Sequence, residues 1–326
     1  MSKVKLGIIG YGPFGQGVTR CFLETQQVEI VGVYNRGEEK RRLAEEHGYA
    51  AYADLADLLA VEGLQAVAVA SANCVHAEQC IASAEAGKHI FAEKPLTLDL
   101  DSYDAVTAAA ESAGVVTHID FTMRYGALTS RLIEICRSGR LGRLLTLWVR
   151  RVRGYGLWSA GARHSAIEDP ARSGGWNIHH NVHGTDLLMT MAGERVVEVY
   201  ARNLRSAADT PTDEINVAVL TFADGAVGTV GDSTSILREG YYGAIGTAGT
   251  VLLHADKLTV KMEDGTQAVE EAPSEKALVA SCRAFVDACL GRGTGNIPFD
   301  RGRHCLEVLL AMNRSSDEGR IIRLPE

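Results

Sequence analysis

No stretch of this sequence is long and apolar enough to cross a bilayer. Runs such as Ala66 to Ala70 fall far short of the roughly 18 residues that a spanning helix needs. The seven cysteines, at 21, 74, 80, 136, 282, 289 and 305, form no Cys-x-x-Cys pair and are odd in number. That usage argues against a disulfide framework and for a reducing cytoplasm, with the thiols serving as small core residues. Basic excess is missing too: 33 Lys and Arg stand against 41 Asp and Glu, a net charge of -8. A general affinity for nucleic acid or anionic membrane is therefore not expected. Lys3 and Lys5 lend the amino terminus a weak positive charge, but Gly10-Tyr11-Gly12-Pro13 breaks the apolar run that follows, so no signal peptide is expected. Neither an internal repeat nor a low-complexity linker is visible.

What is present, 326 residues of which 46% are hydrophobic, suits one large or two ordinary soluble domains. The first third alternates short β-branched runs with helical patterns, the rhythm of βαβ units on a parallel sheet. Strands are predicted at Val4 to Ile9, Glu29 to Tyr34, Ala50 to Tyr52, Ala66 to Ser71, His89 to Ala92 and Val115 to Phe121. Helices are predicted over Phe14 to Glu24, Glu38 to His47, Val75 to Ala86 and Leu100 to Ala113, the last three stopping at Gly48, Gly87 and Gly114. Beyond about Arg124 the strands arrive as hairpins, such as Ile215 to Phe222 and Ala226 to Ser233 around Asp224-Gly225. Further strands are expected at Leu144 to Val152, Val196 to Leu204, Val251 to His254, Lys257 to Met262 and Thr266 to Val269. Helices from Lys276 to Leu290 and Arg301 to Ser316 close the chain, the second placed to fold back on the first domain. The expected class is α/β. A doubly wound dinucleotide-binding domain over 1–123 precedes an α/β domain over 124–326, built on a large, mostly antiparallel open sheet.

A dinucleotide fingerprint stands at Gly10-x-Gly12-x-x-Gly15, which follows an uninterrupted apolar strand and opens a helix. In that context Gly10 permits the tight turn, Gly12 lets the backbone approach a pyrophosphate, and Gly15 lets the helix pack on the strand. Pro13 and Phe14 begin the helix whose N-terminus would face the phosphates. At the end of the second strand, where a carboxylate usually binds the ribose hydroxyls of NAD, the chain reads Tyr34-Asn35-Arg36. With no carboxylate to repel a 2′-phosphate and a guanidinium beside it, Asn35 and Arg36 favour NADP(H), with NAD(H) as the alternative.

At the carboxyl end of the fifth strand stands Glu93-Lys94-Pro95, where parallel sheets place ligands. Together with the glycine fingerprint, Ser71-Ala72-Asn73 followed by His76, and Glu85-Ala86-Gly87-Lys88-His89, this resembles the Gfo/Idh/MocA oxidoreductases. The similarity continues through Gly139-Arg140-Leu141-Gly142, Gly174-Gly175, His183 and Asp186 to the Ser315 to Gly319 stretch, nearly the whole chain. The resemblance implies hydride exchange with a sugar, cyclitol or related carbinol, and an open sheet that pairs copies into a homodimer or homotetramer. It adds Ser71, Asn73, His76, Glu93 and Lys94 to the coenzyme residues. Lys94 matches the family's active-site lysine and His183 its acid/base histidine. His179 departs from the aspartate often found at that position, and Ala72 from a common proline.

Chemistry agrees with those roles. An alcohol loses a proton as it loses hydride, so a group titrating near neutrality should meet the hydroxyl, and His183 suits that task. Lys94 can stabilise the developing alkoxide. On a helix His179 and His183 share one face. A histidine pair four apart is also a zinc motif, but no Glu follows the first histidine as a metalloprotease would require, so no metal is expected. Catalysis is thus assigned to Lys94, His183 and His179. Substrate contact is assigned to these three with Arg124, Tyr155, Trp158, Trp176 and His180, the aromatics lying in the Gly-rich Gly154 to Trp176 loop. Arg150, Arg151 and Arg153, with Arg163, His164 and Arg172, read as a solvated face, with one arginine left to meet an acidic substrate. Two other functions remain open on these residues: a non-catalytic NADP(H) sensor, and a reductase of an aromatic diol, aldehyde or imine.

Overall fold

The computed structural model describes residues 3–161, 169–270 and 276–325. Arg163 and His164 lie outside the described residues. The chain divides into two compact units, Met1–Thr122 with Lys276–Arg303, and Met123–Glu275 with His304–Glu326.

In the first unit, β1 (Val4–Ile9), β2 (Val28–Tyr34), β3 (Ala51–Tyr52), β4 (Ala66–Val69), β5 (His89–Ala92) and β6 (Thr117–Ile119) form one parallel sheet in the order β3-β2-β1-β4-β5-β6. Between the strands run α1 (Pro13–Glu24), α2 (Glu38–Glu46), α3 (Leu55–Leu59), α4 (His76–Glu85) and α5 (Leu100–Ala113). The strand order reverses at β1, which pairs with both β2 and β4, and that switch point is where such sheets open a crevice. Strand burial explains the short apolar runs: Ala66, Val67, Ala68 and Val69 are all fully buried, as a strand covered on both faces requires. The predicted sixth strand, Val115 to Phe121, is trimmed to three residues, and α3 is an element the sequence reading passed over.

The second unit opens with α6 (Ala127–Arg137), where strands alone were expected. Its Leu132, Ile135 and Cys136 are buried at a helical spacing. Then come β7 (Leu144–Arg153), the short α7 (Pro170–Ser173), a π-helical turn over Asn177–Asn181, and α8 (Val182–Ala192). Seven strands follow: β8 (Val196–Leu204), β9 (Ile215–Phe222), β10 (Val227–Thr234), β11 (Glu239–Gly246), β12 (Gly249–His254), β13 (Lys257–Met262) and β14 (Gln267–Glu270). Next in the chain are α9 (Ala277–Cys289), α10 (Arg303–Glu318) and β15 (Ile322–Arg323). The sheet order is β14-β13-β12-β11-β7-β10-β9-β8-β15, antiparallel but for the β7–β10 pair. On one face Tyr200, Val219, Thr229, Trp148, Gly243 and Leu252 align across six strands. Tyr200, Val217, Val219, Tyr241, Ile245 and Leu252 on this face are each 39–42% exposed, an apolar surface larger than scattered side chains would make.

The two closing helices sort differently from the sequence expectation. The helix that returns to the first unit is α9, whose Cys282, Phe285 and Val286 lie in one core with Phe22 and Phe91. The Phe91 ring centroid is 5.1 Å from Phe22 and 5.8 Å from Phe285, both edge-to-face. Helix α10 stays in the second unit because its inner face is tied there by polar bonds. Asn177 Nδ2 donates to the Leu309 carbonyl (3.0 Å) and to Asn313 Oδ1 (2.8 Å), and Ala201 N donates to Ser315 Oγ (2.9 Å). Among the described residues no helix is long and apolar enough to cross a membrane.

Candidate active site

The glycine turn is shaped by sterics on two sides and by nothing visible on the third. Gly10 has φ +95°, and a Cβ there would lie 2.8 Å from the Ala70 carbonyl oxygen. A Cβ on Gly15 would approach the Gly10 carbonyl oxygen to 2.1 Å, so α1 can only lie this close to β1 if residue 15 has no side chain. Gly12 is different. Its φ of -66° suits any residue, and a Cβ there meets no atom within 4 Å. The fold has no use for a missing side chain at 12, whereas a pyrophosphate resting on the backbone does. Gly12 caps α1 without any side-chain hydrogen bond, Pro13 opens the helix, and its first turn carries no acidic residue. The first free N–H groups therefore face outward with the positive end of the helix dipole, an anion-binding arrangement. Phe14, 53% exposed beside them, is available to a ligand.

At the β2 end, Gly37 N donates to Asn35 Oδ1 (2.9 Å), so Asn35 shapes the turn. Arg36 Nε donates to Tyr34 Oη (3.2 Å) and its guanidinium pairs with the Glu78 carboxylate. A second arginine, overlooked in the sequence, closes this loop: Arg41 donates to the carbonyls of Asn35 (2.9 Å) and Arg36 (2.7 Å). Ser71 donates to Gln79 Oε1 (2.6 Å), and Asn73 is 8% exposed. His76 was expected at the coenzyme, but it is fully buried and its ring nitrogens face the carbonyls of Pro95 (2.9 Å) and Ser71 (3.2 Å). It acts as a strut between two loops, and burial pushes its pKa down, keeping it neutral.

Lys94 is 9% exposed and is joined to Pro95 by a cis peptide bond. Glu93, 4% exposed, points instead into the protein, where burial and the adjacent Asp120 hold its pKa well above the usual carboxylate range. Glu93 and Asp120 are neighbours because Ala92 and Ile119 pair at the ends of β5 and β6.

In the second unit the histidines stand on the π-helical turn and the start of α8. His179 and His180 contact edge to face at 4.7 Å, His180 lies 4.2 Å from the Trp176 ring and 5.7 Å from Tyr155. Trp176 was expected to touch substrate. It is fully buried instead, with Nε1 donating to Asp232 Oδ1 (2.9 Å), so it backs His180 and does not line a surface. Tyr155, 48% exposed, remains open to a ligand, under the Arg153 guanidinium at 5.5 Å. Trp158 stands on a 3₁₀ turn whose N–H donates to the buried Glu214 (2.6 Å). Arg124 makes a two-pronged bond to Asp186 (2.9 and 2.5 Å), three residues along α8 from His183. Its guanidinium thus anchors that helix. Arg151, read as part of a solvated face, is buried against Asp232 (2.9 Å) and donates to the His180 carbonyl (2.9 Å), while Arg150 points outward. The reason is strand alternation: position 151 falls on the covered face of β7. Among the described residues no group of three or more His, Cys, Asp or Glu is arranged to hold a metal ion.

The contrast between two glycines is testable. Gly15→Ala is expected to lower the thermal unfolding midpoint severely, because the clash is with backbone. Gly12→Ala should leave the midpoint unchanged and weaken dinucleotide binding about tenfold or more, measured by fluorescence titration. Equal melting losses in both variants would refute the assignment of Gly12 to the ligand.

Two family models match the chain: an oxidoreductase family with an NAD-binding Rossmann fold over residues 4–121, and the GFO/IDH/MocA C-terminal domain over 129–252. Among curated proteins, myo-inositol 2-dehydrogenase of Thermotoga maritima is 27% identical over 249 residues, covering 74% of this chain and 70% of its own. The crystal structure of myo-inositol 2-dehydrogenase from Lactobacillus plantarum superposes with a TM-score of 0.84 at 22% identity, over 99% of this chain and 100% of the other. A levoglucosan dehydrogenase in complex with NADH and levoglucosan superposes with a TM-score of 0.86 at 18% identity, over the full length of both chains. At such identities the structures speak to the fold alone, but the sequence models cover both units, and the chain belongs to the Gfo/Idh/MocA oxidoreductase family.

Proposed function

We propose that this protein is an NADP(H)-dependent oxidoreductase that moves hydride between the nicotinamide and a carbinol or carbonyl carbon of a sugar, cyclitol or related small molecule. The observation that carries this reading is Lys94: an ammonium almost removed from solvent at the carboxyl end of a parallel strand, in the same unit as a glycine turn whose Gly12 has no internal reason to be glycine. Burying a cation is costly, and a site that uses its charge explains why it is kept. The nicotinamide, when bound, supplies the hydride acceptor or donor. Gly10, Gly12 and Gly15 with the open N-terminus of α1 would hold its pyrophosphate, and Asn35 and Arg36 its adenosine ribose. Lys94 donates a hydrogen bond to the substrate oxygen and steadies its negative charge, and His183 accepts or returns the hydroxyl proton. His179, at the head of the same helical segment, orients the substrate. Full burial of Trp176 leaves fewer rings for an aromatic substrate and favours a polyhydroxylated one.

Preference for NADP(H) rests on Arg36 just past β2, on Arg41, which reaches back from α2 to the same loop, and on the lack of a carboxylate at 35, although Glu78 competes for the Arg36 guanidinium. We further assign the apolar face of the nine-stranded sheet to a second copy of the chain, as dimer or tetramer. The cytoplasm is assigned as its compartment, since all seven cysteines are free thiols.

Three measurements test these assignments. Across a panel of sugars, cyclitols and aromatic carbonyls, Lys94→Ala and His183→Ala should retain coenzyme binding and lose turnover by about 10²- to 10⁴-fold. Unchanged turnover in both would end the proton roles. In titrations of wild type, NADPH should bind more tightly than NADH, and Arg36→Ala should weaken NADPH binding by about 10- to 100-fold with little effect on NADH. Light scattering should show an assembly larger than one chain that Val219→Asp shifts toward monomer.

A further inference from the structure

Beneath Lys94 the first unit holds a chain of buried polar groups that the proposed chemistry does not use. Phe91, Glu93, His118 and Asp120 alternate along the ends of β5 and β6, and the Phe91 and His118 rings stack 5.0 Å apart at 8°. They point toward α9, whose Ser281 is fully buried. One backbone amide sets the direction of every hydrogen bond that follows. Ile297 N donates to His118 Nδ1 (3.2 Å), so that nitrogen carries no proton and the neutral ring has its hydrogen on Nε2. Nε2 then donates to Ser281 Oγ (2.9 Å), and the hydroxyl, its acceptor side occupied, donates to Asp120 Oδ1 (2.6 Å). Asp120 is the acceptor at the end of the line. Asp120 accepts at Oδ1, and Glu93 is its neighbour across the paired ends of β5 and β6; two buried carboxyls side by side share a hydrogen bond only when one of them is protonated.

We propose that Glu93 and Asp120 hold a single proton between them, carried by Glu93, and that the Asp120 carboxylate is the counter-charge that keeps the buried Lys94 ammonium in place, which makes Asp120 a positioning residue for Lys94. The charges then balance: one cation and one anion in a buried region, where a second anion would repel the first. Other titratable groups facing Asp120 are Cys21 on α1 and Cys282 on α9, both with thiols pushed up by burial and therefore neutral. Glu93 is driven up by burial and by Asp120. Asp120 is raised by burial only to about 6, with the bonds from Ser281 and Glu93 pulling it back. A signal for this cluster was present in the sequence: His118 and Asp120 fall two apart on a strand expected to be buried, where polar side chains need partners.

The charge assignment can be read apart from its consequence for turnover, which rests on the role proposed above for Lys94. Infrared spectra of the full chain with 13C-carboxyl glutamate or 13C-carboxyl aspartate test the first without any substrate. At pH 7 a protonated-acid band is expected that shifts with labelled glutamate, stays put with labelled aspartate, and disappears in Glu93→Gln. A band that follows aspartate, or no protonated-acid band at pH 7, overturns the assignment. In Asp120→Asn the counter-charge must come from Glu93, so its protonated band should vanish at pH 7; a Glu93 that keeps its proton there overturns the counter-charge role. Because the folded pKa of Asp120 lies above its unfolded value, its contribution to stability is complete below about pH 4 and is lost as pH rises through about 6. Chemical denaturation of wild type at a series of pH values reads this loss, and a carboxyl band of Asp120 that titrates below its unfolded value would count against the proposal. With a turned-over substrate, Asp120→Asn should lower kcat by about 10- to 100-fold with coenzyme affinity intact, and Asp120→Glu should restore part of it. Were wild type to turn over nothing on the panel, the spectra would still decide where the proton sits.

Discussion

The contact on which the nucleotide-binding half depends is the near touch of two backbones, Gly15 on α1 against the carbonyl of Gly10 at the end of β1. With any side chain at 15 the helix would have to move away from the sheet, since a Cβ would lie 2.1 Å from that oxygen. The consequences run outward from this point. A helix held so close to its strand aims its first N–H groups past the turn, at the switch point between β1 and β4. The turn itself leans on the β4 end at Ala70 and Ser71: Ala70 N donates to the Ile9 carbonyl (2.8 Å), and the Ser71 carbonyl faces His76. His76 reaches across to Pro95. Nucleotide turn, fourth strand and Lys94 loop are thus one mechanically connected set.

A second theme is the way charge is carried indoors. Each unit buries ionised or ionisable groups, and in each the burial is compensated by a named partner. Arg151 meets Asp232 and Arg124 meets Asp186 in the second unit, and in the first Asp120 accepts from Ser281. Removing one member of such a pair is far more damaging than replacing both by apolar groups, so their stability value is small beside their power to fix geometry. Arg151 and Trp176 both grip Asp232, and between them they hold the His180 carbonyl and ring. The π-helical turn that carries His179 and His180 is in this way clamped from the sheet side by charge and from the α10 side by Asn177 and Asn181.

Much of the fold was legible because periodicity and glycine stops coincide. The strands His89–Ala92, Val196–Leu204 and Lys257–Met262 and the helix Leu100–Ala113 fall where the pattern placed them. Helix α6 was not seen, since the strand rhythm of its surroundings masked a buried stripe of only three residues. Strand β11 was missed because Gly240, Gly243 and Gly246 dilute its β-branched content. In the site, residue types announced themselves when their chemistry was costly to keep, as with Lys94 and the glycine turn. Trp176 and His76 misled because an aromatic or a histidine in a motif does not say which way it faces. Arg41, Glu214 and Ser281 were invisible, their roles being set by partners 5 to 161 positions away.

The first unit is discontinuous in sequence, with α9 joining it after the whole nine-stranded sheet except β15 has been made. During synthesis this orders events. Strands β1 to β6 leave the ribosome while Phe22 and Phe91 still lack Phe285, the ring that completes their cluster. The first unit breaks off at Thr122 and resumes at Lys276, an interval of roughly 8 to 31 s at 5 to 20 residues per second. Over that interval the nascent half-domain leaves uncovered the aromatic surface that Phe285 closes and the Asp120 carboxyl that Ser281 later binds.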